Sequence, residues 1–546
     1  MTTALRAPLL WLLLPFGAGL LWEHAGAAPG AAGLALLASS GALAAALAGR
    51  SGNRLAWSVW AAGLAVAAAA FGAGWLRWRS PAPREWTAPP REVTVTLRAE
   101  QVFPPAPQRK TVNGIARILR ADPAAAAPLV GQRVYFSAIR RIGVPPVASG
   151  EYRFTGVVEA LPPPDGNDRN FAAYLASLGV RVRIVRGHLS EELRAPTGFQ
   201  RFCESAQDRL GASLRRGLER HPEIVSLYLA MLLGEKAVLS AEQQNAFMRS
   251  GVFHIFSISG LHVGVIAMAI LSALQLLRVP RRTAVIAGLA VLWLYVEITG
   301  GSAPAVRSFL MIAFWLGSRV FRLPSNPLAA LAAAALATLL LDPRQLFATG
   351  FQMSYSVVAA LLVMGLPLAE RWQARWQPWR DLPEVSWRPW QRWVRDRGRE
   401  LLGGLAITWA ATLASAPSSI GYFGLFSPGA LVANLVIIPL SSLAIVAGFL
   451  AMLGGLAHLG PLVLVFNHAA ALLIRAMDGL VQRGTDLPGV YFPAEFRAGW
   501  MAPAALVLVL ATMFAGASLR WRPRAGGYWP PVVAVALVVI FGVKFG

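Results

Sequence analysis

The stretch Gly251-Val-Phe-His-Ile-Phe-Ser-Ile-Ser-Gly-Leu-His-Val-Gly264 opens an apolar run that continues to Leu277. Such a run is long enough to cross a bilayer, for which ~20 mostly apolar residues suffice. It also carries two histidines and two serines, and polar groups at membrane depth face a cavity or a partner. Runs of similar character follow at Ala284–Thr299, Ala305–Val320, Leu328–Leu341, Phe347–Leu366, Leu401–Phe423, Pro428–Leu450, Pro461–Ile474, Met501–Leu519 and Pro531–Val543. Three more open the chain, at Leu9–Trp22 with its flanks, Gly30–Ala48 and Leu55–Trp75. The first of these has no small-residue cleavage pattern and leads into further apolar runs, so it reads as an anchor and not a signal peptide. The fold class is therefore a polytopic α-helical membrane protein of about 11–13 spans. Several spans are short or broken by Gly and Pro, which is tolerated only where backbone faces protein or a water-filled cavity.

Composition agrees. The chain has 546 residues, of which 56% are hydrophobic and only 14% charged, against about 25% charged in soluble domains. Its formal net charge is +23. Basic cytoplasmic loops, a GC-rich codon bias and a polyanionic substrate all fit that excess. The single cysteine, Cys203, excludes an intrachain disulfide and a cysteine-based zinc site.

Between Trp78 and about Pro196 no run is long enough to span. Short pieces rich in β-branched residues replace the apolar runs: Val93–Leu97, Thr111–Leu119, Arg133–Phe136, Tyr152–Val158 and Gly179–Val185. The last alternates Val or Ile with Arg, as a half-exposed strand does. Five such strands predict a small antiparallel barrel, with the OB-fold as leading candidate. An amphipathic stretch follows at Gly198–Arg220. Arg6, Arg50 and Arg54 flank the first spans on one side, whereas Glu23–Pro29 holds no Lys or Arg. The positive-inside rule then puts the N-terminus in the cytoplasm and the β domain outside. Arg278, Arg281, Arg282, Arg319, Arg322, the Arg371–Arg399 loop and Arg520–Arg524 fall inside by the same alternation.

Three stretches carry chemistry. On a continuous helix His254, Ile258 and His262 would share one face, with the histidines about 12 Å apart, too far to share a metal. Ser259 and His262 are three apart, which leaves a hydrolytic pair, a structural polar pair and pore lining as readings. In Tyr295–Met311 a Gly-Gly-Ser-Ala-Pro break separates Glu297 from Arg307. A helix N-terminus beside an arginine attracts anions such as phosphate, and the competing reading pairs Arg307 with Glu297. In Asp342–Ser356, Gln352, Ser354 and Ser356 place polar groups early in an apolar run, on an inward face or as interhelical hydrogen bonds. The set that could line a path is His254, Ser257, Ser259, Gly260, His262, Glu297, Arg307, Gln352 and Ser354. No phosphate loop occurs, since Gly234-Glu-Lys236 lacks its partners, and no His-x-His-x-Asp-His metal run is present. The chain thus reads as non-enzymatic, with no cofactor.

These motifs, in this order, resemble the ComEC family of competence proteins from the early helices to about residue 445. The family signature is similar to Ser250–Val263, preceded by Leu232-Leu-Gly-Glu-Lys-Ala-Val-Leu-Ser240. Thr299–Met311, Gly350-Phe-Gln-Met-Ser354, Tyr422-Phe-Gly424, Ala433-Asn-Leu-Val-Ile-Ile-Pro439 and Asn170–Val180 complete the match. The resemblance implies a bacterial inner-membrane channel that passes one DNA strand into the cytoplasm during natural transformation. It implies membrane helices over 1–78, an outward OB-like domain over 79–196 that meets DNA first, linking helices over 197–250 and a channel domain over 251–546. Partners would be single-stranded DNA, a DNA receptor and a separate cytoplasmic ATPase near the Arg371–Arg399 loop. Many members end in a metallo-β-lactamase-like nuclease domain. Here nothing follows Gly546, so that role is expected to be dispensable, supplied by another chain, or lost by truncation. A membrane-embedded serine hydrolase and an exporter or assembly factor for another polymer are the rival functions.

Overall fold

Five segments that alternate apolar and polar residues pair edge to edge, and in the computed structural model they close into a barrel. They are β1 (Arg91–Val102), β2 (Thr111–Asp122), β3 (Arg133–Gly143), β4 (Glu151–Ala160) and β5 (Val182–Arg194). The closed order is β1-β2-β3-β5-β4, with β4 pairing back to β1 and only β3–β5 parallel. This is the small OB-like barrel expected from the sequence. The alternation sends Val93, Val95, Leu97, Phe136, Phe154 and Ile184 into a dry interior and leaves Arg98, Arg117 and Arg153 outside, each on a carboxylate. Tyr152 is also inside, and its hydroxyl accepts the Val147 N–H at 2.9 Å. Burial pushes its phenol above the ordinary range. The structure describes residues 7–49, 54–79, 86–103, 111–122, 124–143, 146–161, 171, 175–176, 178–235, 239–256, 258, 260–323, 326–523 and 526–545.

Ahead of the barrel stand α1 (Leu10–His24), α2 (Ala31–Ala48) and α3 (Arg54–Arg79). They pack through small residues: a Cβ on Gly41 would lie 2.6 Å from the Gly63 carbonyl, so the backbones of α2 and α3 touch. After it come α4 (Gly198–Arg215), α5 (Pro222–Leu233), α6 (Ala241–Arg249), α7 (Gly260–Leu276), α8 (Arg281–Ile298), α9 (Ala303–Val320) and α10 (Pro327–Leu341). Then follow α11 (Thr349–Arg375), α12 (Pro389–Phe423), α13 (Ala430–Leu456), α14 (Gly460–Thr485), α15 (Met501–Ser518) and α16 (Trp529–Gly542).

Seven helices among the described residues are long and apolar enough to cross a membrane: α2, α3 and α11 to α15. The chain is a multi-pass membrane protein. The larger count read from the sequence includes shorter apolar helices such as α7, α10 and α16, which fall below the ~20 residues a straight crossing needs. Two other readings change. The apolar run from Val252 is not one helix, because Phe253–Phe256 forms a separate 3-10 turn and α7 starts only at Gly260. The Arg371–Arg399 loop is mostly helical: α11 continues through Arg375, and α12 starts at Pro389, where a proline suits the first turn.

Two hydrophobic cores organise the membrane part. One gathers α4 to α8 with α13 and α14; the other gathers α1, α10, α11, α12, α15 and α16. At the centre of the first lies α5, with nine of its 12 residues buried. α9 runs along the seam, since Ala305 and Phe309 pack into the first core and Leu310 and Met311 against the second. The end of α3 holds that of α10: Trp75 Nε1 donates to the Leu340 carbonyl and Arg79 Nη2 to that of Leu341, each at 3.1 Å. These are two of the carbonyls a helix C-terminus leaves unsatisfied.

The barrel's interior is complete without the membrane helices. Residues 86–196 expressed alone are therefore expected to show β-type circular dichroism and one cooperative urea transition. Phe154→Ala should lower its stability by about 3–5 kcal/mol. A non-cooperative melt of the wild-type fragment would contradict this.

Candidate functional site

The seam is where polar groups accumulate. α9 begins after Gly300 and Gly301, whose φ values are +85° and +57°. One turn into it, Arg307 is buried, with 3% of its surface exposed. Its Nη1 donates to Gln345 Oε1 at 3.5 Å and its Nη2 to Ser354 Oγ at 3.3 Å. Both partners are neutral, and among the described residues Nε has no hydrogen-bond partner. Among the described residues no carboxylate lies within ion-pair distance of Arg307, so the pairing with Glu297 does not form. Glu297 instead faces α4: burial first, then the carboxylates of Glu297 and Glu204, push the Cys203 thiol up.

Gln345 reaches Arg307 because the 3-10 turn Pro343–Phe347 is capped by Asp342. One carboxylate oxygen of Asp342 accepts the Arg344 N–H at 3.1 Å and the other accepts Gln345 Nε2 at 3.2 Å, which aims the amide oxygen at Arg307. Gln345 was not among the residues singled out from the sequence, though Asp-Pro marks such a cap. Arg307 also lies against the first turn of α11, where a Cβ on Gly350 would be 3.0 Å from Nη2. A guanidinium and a helix N-terminus are both electropositive, and together they favour an anion.

The other motifs touch this group in a chain. Gln352 accepts from the Tyr422 hydroxyl at 3.0 Å and donates to the Leu346 carbonyl at 3.1 Å. A Cβ on Gly260 would stand 3.5 Å from Ser308 Oγ, which brings α7 to α9. Gly234 ends α5 with φ +74°, and a Cβ there would be 3.2 Å from Ile258 and 3.8 Å from the Thr299 carbonyl. Ser240 and Gln243 cap α6 reciprocally, at 3.1 and 3.3 Å. Segments far apart in sequence thus meet at one seam, joined mostly through glycines and short polar side chains.

His254 and His262 do not share a helical face. His262 is fully buried in the first turn of α7. His254, on its own 3-10 turn, is exposed. Phe256 fixes that turn against Phe247, with ring centroids 4.6 Å apart. Ser257, Ser259, Lys236 and most of Asn170–Ala176 lie outside the described residues. Among the described residues no group of three His, Cys, Asp or Glu side chains is placed to hold a metal.

The family model described as Competence protein matches residues 231–523, more than half of the chain. The chain belongs to this family. It is 30% identical over 142 residues to ComE operon protein 3 of Bacillus subtilis (strain 168), covering 26% of this chain and 18% of that protein. It is 33% identical over 147 residues to competence protein ComA of Neisseria gonorrhoeae, covering 25% and 21%. With YcaI of Escherichia coli (strain K12) identity is 29% over 268 residues, covering 46% and 32%. In each case the chain spans under a third of the relative's own length. No solved structure matches it. The matched region begins inside α5 and contains the whole seam.

A buried cation with neutral partners lowers stability, because desolvating an ion costs several kcal/mol. Arg307→Met removes that charge at similar length. The variant is expected to accumulate normally, with a melting temperature equal to or above that of wild type. A clear drop would show that Arg307 holds the fold together.

Proposed function

We propose that this chain is the inner-membrane channel that carries single-stranded DNA into the cytoplasm during natural transformation. The observation that carries the reading is Arg307, buried at the seam between two cores, facing a helix N-terminus and lacking a carboxylate. A phosphodiester supplies the missing negative charge, and a guanidinium takes phosphate through paired, charge-assisted hydrogen bonds. Family membership and the name of one relative, a competence protein, support competence as the setting. His254, Ser257, Ser259, Gly260, His262, Glu297, Gln352 and Ser354 would line or shape the path.

In this reading the N-terminus is cytoplasmic and the OB-like barrel lies outside, where it receives the strand from a DNA receptor. Driving energy comes from a separate cytoplasmic ATPase, and any nuclease step belongs to another chain or segment. The chain acts as a conduit, without an enzymatic step of its own. Domain limits follow the same division: membrane helices to 78, barrel to 196, linking helices to 250, channel beyond.

The test is uptake of labelled DNA by a deletion strain complemented with this chain, normalised to the amount of folded protein. Arg307→Met is expected to reduce import at least tenfold at unchanged protein level. His254→Ala, which alters an exposed ring, should reduce import severalfold without shifting the melting temperature. Normal import per folded molecule in both variants would sink the channel assignment.

A further inference from the structure

β3 and β5 run parallel, with Tyr135 opposite Arg183 and Phe136 opposite Ile184. Two residues back from that pair stand Arg133, the first residue of β3, and Arg181, the residue just before β5, so the register continued by one residue sets both on one face at one end of the barrel. That end meets the membrane helices. From the turn that also bears Gln345, Arg344 Nη1 donates to the Leu178 carbonyl at 3.4 Å. Its guanidinium lies directly on Gly179, whose φ is +78°, in space that a Cβ would otherwise take. Arg344 is therefore the contact by which the membrane part touches the barrel at this point.

The charge balance there is unusual. Arg133 shares Glu100 with Arg117, at 2.7 and 2.9 Å. Asp342 is engaged by the backbone N–H of Arg344 and the amide of Gln345. Arg181 is exposed and has no ion-pair partner among the described residues. Burial, then the charge of Arg133 and in lesser measure Arg181, depress the Arg344 guanidinium below its ordinary value, against the pull of Asp342. Like charges held together lower stability unless an anion joins them.

We propose that Arg133, Arg181 and Arg344 form a second phosphate-binding station at the junction of barrel and membrane helices. It takes the sugar-phosphate backbone of a single strand and hands it to Arg307, whose partner Gln345 is the next residue after Arg344. This rests on the channel reading and adds to it where the strand passes from barrel to seam. Because recognition is by guanidinium and phosphate, the station is indifferent to base sequence.

The experiment uses the full chain in nanodiscs and a fluorescent oligo(dT) probe, with affinity measured across a range of salt. Each phosphate contact to a single strand contributes about 0.7 to the slope of log affinity against log salt. Arg181→Gln and Arg344→Gln are each expected to reduce the slope by about that amount. Arg153→Gln, at the far end of the barrel and paired with Glu191 at 2.7 Å, should leave it unchanged. Since Arg344→Gln also removes the Leu178 hydrogen bond, the exposed Arg181 decides the matter. A wild-type slope in Arg181→Gln, with Arg307→Gln still lowering it, overturns the station and leaves the channel standing. Failure of the wild-type chain to bind oligo(dT) at all overturns both.

Discussion

A guanidinium withdrawn from water needs a negative charge or a full set of acceptors, and among the described residues Arg307 finds neither. Two neutral oxygens, at 3.5 and 3.3 Å, occupy its terminal nitrogens, and Nε has none. Its nearest helix terminus, that of α11, adds positive potential and not relief. Such an arrangement persists only where the surrounding packing is strong enough to hold it. Here two separate hydrophobic cores do so, one on each side of α9. The site is thus a buried cation at the seam between two hydrophobic cores, where its charge favours an anion.

The rest of the membrane part can be understood as the means of keeping that seam close-packed and polar. Glycines at 234, 260 and 350 let α5, α7 and α11 approach the segments carrying Ile258, Ser308 and Arg307. Larger residues there would push the helices apart and widen the seam. The polar side chains that fill it are short or fixed at both ends. Gln352 is held by Tyr422 and the Leu346 carbonyl, and Gln345 by Asp342 and Arg307. The same turn that presents Gln345 presents Arg344 to the barrel, so one capped turn of 3-10 helix touches both parts of the molecule.

Much of this was legible in the residues. Short β-branched pieces, the last of them alternating with arginine, placed all five barrel strands, and each proved longer than its apolar stretch because ladder pairing continues beyond the core. Arg307 stood out as a cation in an apolar run. Ser354 was singled out as well, but Gln345 was not, and neither pairing with Arg307 could be read, because the two partners come from segments 38 and 47 residues away. The shared face of His254 and His262 failed for a different reason. In a run apolar on every side, periodicity cannot reveal a break, and the 3-10 turn at Phe253–Phe256 interrupts the helix that spacing assumed. α5 was passed over as a linker because 12 residues are too few to span, yet its burial makes it the centre of a core.

The central claim is that DNA passes along the seam beside Arg307. Ala303 is exposed at the start of α9, one turn from Arg307 and on the same face. Leu443, on α13, is 58% exposed on the apolar surface. A photo-crosslinking residue placed at each position, in complemented cells taking up labelled DNA, reports which surface the strand touches. The account predicts a DNA adduct from position 303 during uptake and none from position 443. No adduct at 303 while import continues, or equal adducts at both, would contradict it.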